Sequence, residues 1–134
     1  MLEKNPKTVK IVFKNFPIRS HKFAVQAAAA ALAADRQGKF WDFHDELFNN
    51  YNRLNEKKVQ EIAVKFKLDK AQFEKDRKDP RLLEQIKYDV NEAIQAGVGS
   101  VPSVFVNGRK LKERSLKGFQ DLIDKELETL KTKK

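Results

Sequence analysis

Gly97-Val98-Gly99-Ser100-Val101-Pro102-Ser103-Val104-Phe105-Val106-Asn107-Gly108 is the stretch on which the reading of this chain turns. Upstream of it, Leu83, Ile86, Val90 and Ile94 recur at helical spacing behind Asp79-Pro80, so a capped helix is predicted to run up to Gly97. Downstream, Val104-Phe105-Val106 is a short β-branched and aromatic run ending in Asn-Gly, the dipeptide that best tolerates positive φ in a two-residue hairpin. Arg109-Lys110-Leu111 would be the returning strand. Ser115 then stands where a cap belongs, ahead of a last helix with Leu116, Phe119, Leu122, Ile123, Leu127 and Leu130 inward.

Working back toward Met1, three more helices are expected. Lys22 to Asp35 is alanine-rich, which favours helix and allows close packing, and Gly38 is a natural stop. Phe40, His44, Leu47, Phe48 and Tyr51 fall on one face of the next helix. Val59, Ile62, Ala63 and Phe66 repeat the pattern behind a cap at Asn55, and Asp69 is a further cap. Thr8 to Lys14 is rich in β-branched residues and bounded by Pro6 and Pro17, so it is predicted to be a strand. Val12 interrupts the alternation of Val9, Ile11 and Phe13, which predicts that both faces of that strand are covered.

The order helix-ending glycine, apolar residue-proline, strand, Asn-Gly turn resembles the proline loop of thioredoxin-fold proteins, and the spacing from Gly97 to Gly108 resembles their DsbA-like branch. Val9 to Pro17 resembles the second strand of that family and its exit. His21-Lys22-Phe23-Ala24 with the alanine helix, and Gly38 to Phe48, resemble its helical insertion. The resemblance implies one α/β domain over residues 1–134, a partial thioredoxin-like fold ordered strand, helices, β-hairpin, helix, with the insertion at about 22–97. It also implies that the family's first strand, its Cys-x-x-Cys and the helix that follows would precede the segment beginning near Met1, so the domain is expected to be incomplete at its amino end.

The family works with a cysteine pair against the proline, and this chain contains no cysteine. Disulfide exchange requires an attacking thiolate, so no catalytic residue is assigned and the chain as written should be redox-inactive. The site that remains is Val101 and Pro102. By itself the dipeptide reads as an ordinary loop proline, since only about 5–6% of X-Pro bonds are cis. The resemblance implies a cis bond that turns the backbone of Val101 outward to pair with an extended polypeptide substrate, contributing shape and backbone pairing without proton transfer.

Other chemistry finds little support. The formal charge is +9, but most lysines alternate with Asp and Glu, as in Glu74-Lys75-Asp76-Arg77-Lys78, and read as solvated faces. The denser clusters are Arg109-Lys110-Leu111-Lys112 with Arg114, and Lys131-Thr132-Lys133-Lys134. A nucleic-acid-binding role is therefore the third-ranked reading, behind a fragment of a DsbA-like thiol-disulfide oxidoreductase and a redox-dead module that binds extended peptides. His21 and His44 are far apart and have no carboxylate cluster, so neither a metal nor a cofactor is expected, and His44 reads as a half-buried helix residue. The serines lack a nucleophile elbow and no glycine-rich phosphate loop occurs.

No run approaches the roughly 18 apolar residues a membrane span needs, and Met1 to Pro6 lacks the apolar centre of a signal peptide. An exported or periplasmic location is implied by the resemblance alone. The resemblance also places the absent strand at the sheet centre, between Val9–Lys14 and Ser103–Val106. Two unpaired edges would then face a gap of about 9.6 Å, too wide for backbone hydrogen bonds. A homodimer or higher oligomer, with strand exchange across that gap, is the expected consequence.

Overall fold

The computed structural model describes residues 1–132. It is mostly helical with a small two-stranded antiparallel sheet, consistent with a partial α/β thioredoxin fold. The chain divides into two compact units, Lys14–Gly97 and Met1–Phe13 with Val98–Lys134.

The unit Lys14–Gly97 holds five helices: α1 (Ala24–Asp35), α2 (Phe40–Asn49), α3 (Glu56–Lys65), α4 (Lys70–Arg77) and α5 (Pro80–Gln95). The alanine run makes α1 the hub, in contact with each of the other four. Ala27, Ala29, Ala30, Ala31, Ala33 and Ala34 are all buried, which places small side chains nearly all round the helix and lets its neighbours approach closely. Around it, Phe43, Val59, Ile62, Phe73 and Leu82 complete the core, and the rings of Phe43 and Phe73 meet at 5.6 Å between centroids. Burying each of these two rings stabilises the unit by about 1.5–3 kcal/mol.

The caps are local and hold as expected. Asn55, Asp69 and Asp79 accept hydrogen bonds from the backbone N–H groups of Lys58, Gln72 and Arg81, and Pro80 opens α5.

The buried faces differ from the predicted ones. On α2 the core residues are Phe43 and Leu47, whereas Phe48 and Tyr51 are exposed. Two overlapping stripes run along this helix, and packing against α1 and α3 selects the one through Phe43. On α5 the buried residues are Leu82, Ile86 and Asp89, and Leu83 and Ile94 face outward. The helix is turned so that a carboxylate enters the interior, where Asn15 meets it.

The unit formed by Met1–Phe13 and Val98–Lys134 contains a 3-10 turn at Leu2–Lys4, strands β1 (Phe105–Val106) and β2 (Arg109–Lys110), and helix α6 (Leu116–Thr132). Asn107 at φ 48° and Gly108 at φ 81° form the left-handed pair of the hairpin turn. Ser115 Oγ accepts from Gly118 N at 3.0 Å and so opens α6. A Cβ on Gly118 would collide with the carbonyl oxygen of Glu113, so only glycine lets the chain double back this tightly. Ile123 is buried, but Leu116 and Leu130, predicted inward, are exposed.

Thr8 to Lys14 is not a strand. Lys10, Ile11 and Val12 make no backbone hydrogen bond among the described residues, and Val12, predicted to be covered, is 62% exposed. Propensity favours an extended conformation here, but a strand exists only as part of a ladder, and no described segment lies alongside to supply one. Asn5 anchors the start of the segment through a reciprocal amide pair with Gln120 of α6, at 2.8 and 3.2 Å.

Candidate functional site

Val101 and Pro102 lie in an exposed loop that feeds β1, and the peptide bond between them is cis. Ser103 Oγ donates to the Ser100 carbonyl at 2.6 Å and closes the loop across its base. Beyond it, Leu111 N donates to Val104 O at 2.8 Å, continuing the ladder past the two pairs Phe105–Lys110 and Val106–Arg109. Because the hydrogen-bonded pairs in an antiparallel ladder alternate, Val104 and Val106 face β2 and the N–H and C=O of Phe105 point to the open edge. Phe105 and Val101 are both partly exposed, at 37% and 39%. Val101 and Phe105 thus stand at the surface on either side of the half-buried Ser103 and Val104.

Two arginines fix this region. Arg109 Nε sits 2.9 Å from Glu126 Oε1 and ties β2 to α6. Arg114 Nη1 donates to the Pro102 carbonyl at 3.0 Å, holding the guanidinium against the loop itself. The sequence offers Arg114 only as one of several basic residues in a row. Its position on Pro102 depends on the hairpin bringing residues twelve apart into contact.

The other candidates resolve as structural groups. The His44 side chain is 19% exposed, with Nδ1 3.0 Å from Asp45 Oδ1 and its ring against Trp41 and Phe48. His21 is exposed in the turn before α1. No group of three or more metal-ligating side chains occurs among the described residues. Of the basic tail, Lys133 and Lys134 lie outside the described residues.

Ion pairs that the sequence does not reveal brace the helical unit. Arg77 grips Glu56 through two contacts, at 2.6 and 2.7 Å, and lowers the Glu56 carboxyl to about 2, with a further hydrogen bond from Gln60. Arg36 bridges Asp76 and Asp79 at 2.8 and 3.0 Å. The Asp79 carboxyl is held well below its usual range, first by hydrogen bonds from the Arg81 side chain and backbone and then by Arg36. Asp89 takes two hydrogen bonds from Asn15, from its backbone N and from Nδ2, both at 2.9 Å on Oδ2, while Gln85 donates to Oδ1 at 2.8 Å.

Among the described residues no helix is long and apolar enough to cross a membrane. A thioredoxin family model matches residues 3–125. The chain is 32% identical over 127 residues to the probable disulfide bond formation protein D of Bacillus anthracis, covering 89% of this chain and 58% of that protein. It is also similar to the Na(+)/H(+) antiporter NhaA 3 of Salinispora tropica, 35% identical over 104 residues, and to the Na(+)/H(+) antiporter NhaA of Herminiimonas arsenicoxydans, 30% identical over 104 residues. Those matches cover 77% and 78% of this chain and 16% of each antiporter, so the chain spans only about a sixth of these relatives. No solved structure matches it. With the family match extending over nearly its whole length, the chain belongs to the thioredoxin family, among the DsbA-like thioredoxin-fold proteins.

Proposed function

We propose that this chain is the polypeptide-binding part of a DsbA-like thiol-disulfide oxidoreductase that acts on exported or periplasmic proteins, and that it is redox-inactive by itself. The observation that carries the proposal is the exposed Val101-Pro102 loop ahead of β1, in a family member without a single cysteine. An extended polypeptide can pair with the exposed backbone of Val101, ahead of β1. Exchange of its disulfides needs a thiolate to attack sulfur, and none of the 134 residues supplies one. Val101 and Pro102 bind; any thiol that reacts comes from outside this sequence.

The coding sequence upstream of Met1 tests the assignment. An in-frame Cys-x-x-Cys supports it, and translation that begins authentically at Met1 overturns it. Insulin reduction by dithiothreitol tests the inactivity: the purified chain should leave the rate at that of buffer, and turnover that co-purifies with the chain refutes it.

We also propose that the chain self-associates through its extended segment. Lys10, Ile11 and Val12 offer unpaired backbone at the surface, which recruits a matching edge. Antiparallel pairing centred on Ile11 sets Lys10 opposite Val12, whereas centring on Val12 would oppose Lys10 to Lys14, a like-charge pair that costs stability. Light scattering coupled to size exclusion should give a dimer or larger. A compact monomer of 15.5 kDa at about 100 μM refutes it.

A further inference from the structure

We infer that Arg114 is a specificity residue that selects acidic polypeptides, by taking a carboxylate of an extended chain paired with the backbone of Val101. The inference rests on the polypeptide-binding reading above. Arg36, Arg77, Arg81 and Arg109 each sit on a carboxylate. Arg114 sits instead on a neutral carbonyl, that of Pro102, and has no acidic partner among the described residues. Its nearest sequence neighbour of opposite charge, Glu113, accepts a hydrogen bond from Ser115 Oγ at 2.9 Å.

A guanidinium carries five N–H donors, and the bond to Pro102 uses one, which leaves a fork able to grip a carboxylate in bidentate fashion. The charge is therefore held at the binding loop, exposed and not neutralised. Lys110 and Lys112, also exposed and without an acidic partner among the described residues, carry the same sign on the adjoining hairpin. The amino end of α6, two residues beyond Arg114, adds the positive end of a helix dipole. An extended peptide with Glu or Asp near the residue that pairs with Val101 meets the Arg114 guanidinium, and a basic peptide is repelled.

The test uses the whole chain and two capped octapeptides of extended, apolar sequence that differ only in one central Glu or Gln. Binding is read by amide shifts in two-dimensional NMR. The Glu peptide should bind roughly tenfold tighter than its Gln twin at low salt, with the largest shifts at Ser100, Val101 and Ser103, and the preference should shrink as salt rises. Arg114→Gln should bring the two peptides to equal affinity, while Arg19→Gln, which removes the same unit of charge from an exposed site in the other unit, should leave the preference intact. Equal binding of both peptides at the loop of the unaltered chain overturns the role of Arg114 and leaves the polypeptide-binding reading standing. Shifts confined to residues outside 100–105 overturn both. If Arg114→Gln does not fold, the comparison of the two peptides on the unaltered chain still decides, and Arg114→Lys should keep a weaker preference because the charge survives without the fork.

Discussion

Replacing Asp89 with alanine should destabilise the helical unit far more than replacing it with asparagine. Asp89 and Asn15 are 3% and 5% exposed, so neither can exchange its partner for water. The alanine variant removes both acceptors. Gln85 is at the surface and can be rehydrated, but the backbone N–H and the Nδ2 of Asn15 would be left buried without a partner. An orphaned buried donor costs about 1–3 kcal/mol. Two of them, reduced by the desolvation that the carboxylate no longer suffers, give about 3 kcal/mol. In the asparagine variant one amide oxygen can accept both Asn15 protons, and Gln85 can turn its oxygen toward the new NH2 group, so about 1 kcal/mol is expected. Urea denaturation followed by helical circular dichroism measures the difference, with the slope of the transition unchanged. Alanine and asparagine variants within about 0.5 kcal/mol of each other would refute the claim that this carboxylate anchors Asn15.

Four further outcomes can be checked. Glu56 titrates at about 2 in the folded chain against 4.5 in the free residue, so the unfolded chain binds the proton more readily; the stability that distinguishes the chain from Glu56→Gln should be fully present above pH 4.5 and disappear as pH falls toward 2, and a difference that persists unchanged at pH 2 would contradict the Arg77 pairing. Gly118→Ala forces a methyl into the Glu113 carbonyl and should cost about 1–3 kcal/mol and loosen the start of α6, visible as lost amide protection there. Phe73→Ala empties the ring site against Phe43 and should cost about 3–5 kcal/mol in thermal or urea unfolding. Ala33→Leu places a branched side chain where α1 has no accessible surface, with an expected loss of about 1–3 kcal/mol, whereas Val64→Ala at an exposed site should change stability by less than about 0.5 kcal/mol.

The features that sequence alone determined are those whose energetics close within a few residues. Asn55, Asp69, Asp79 and Ser115 cap helices because each side chain reaches a backbone N–H two or three positions away, and no distant contact is needed. Asn107-Gly108 makes its turn for the same reason, and the loop at Val101-Pro102 is legible as a motif because its residues are contiguous. What the sequence left open is what depends on partners. Thr8 to Lys14 has strand propensity and no ladder, so the tertiary structure leaves Lys10, Ile11 and Val12 without a backbone hydrogen bond among the described residues. On α2 and α5 neighbouring apolar residues offer two stripes, and only the position of α1 decides that Phe43 and Leu82 go inward while Phe48 and Leu83 do not. Asp89 carries no signal in the sequence and becomes a buried anchor because Asn15, 74 residues away, meets it. Arg114 likewise gains its place from the hairpin, which returns it to Pro102, where a long-range contact gives one arginine among many a defined position on the proline loop.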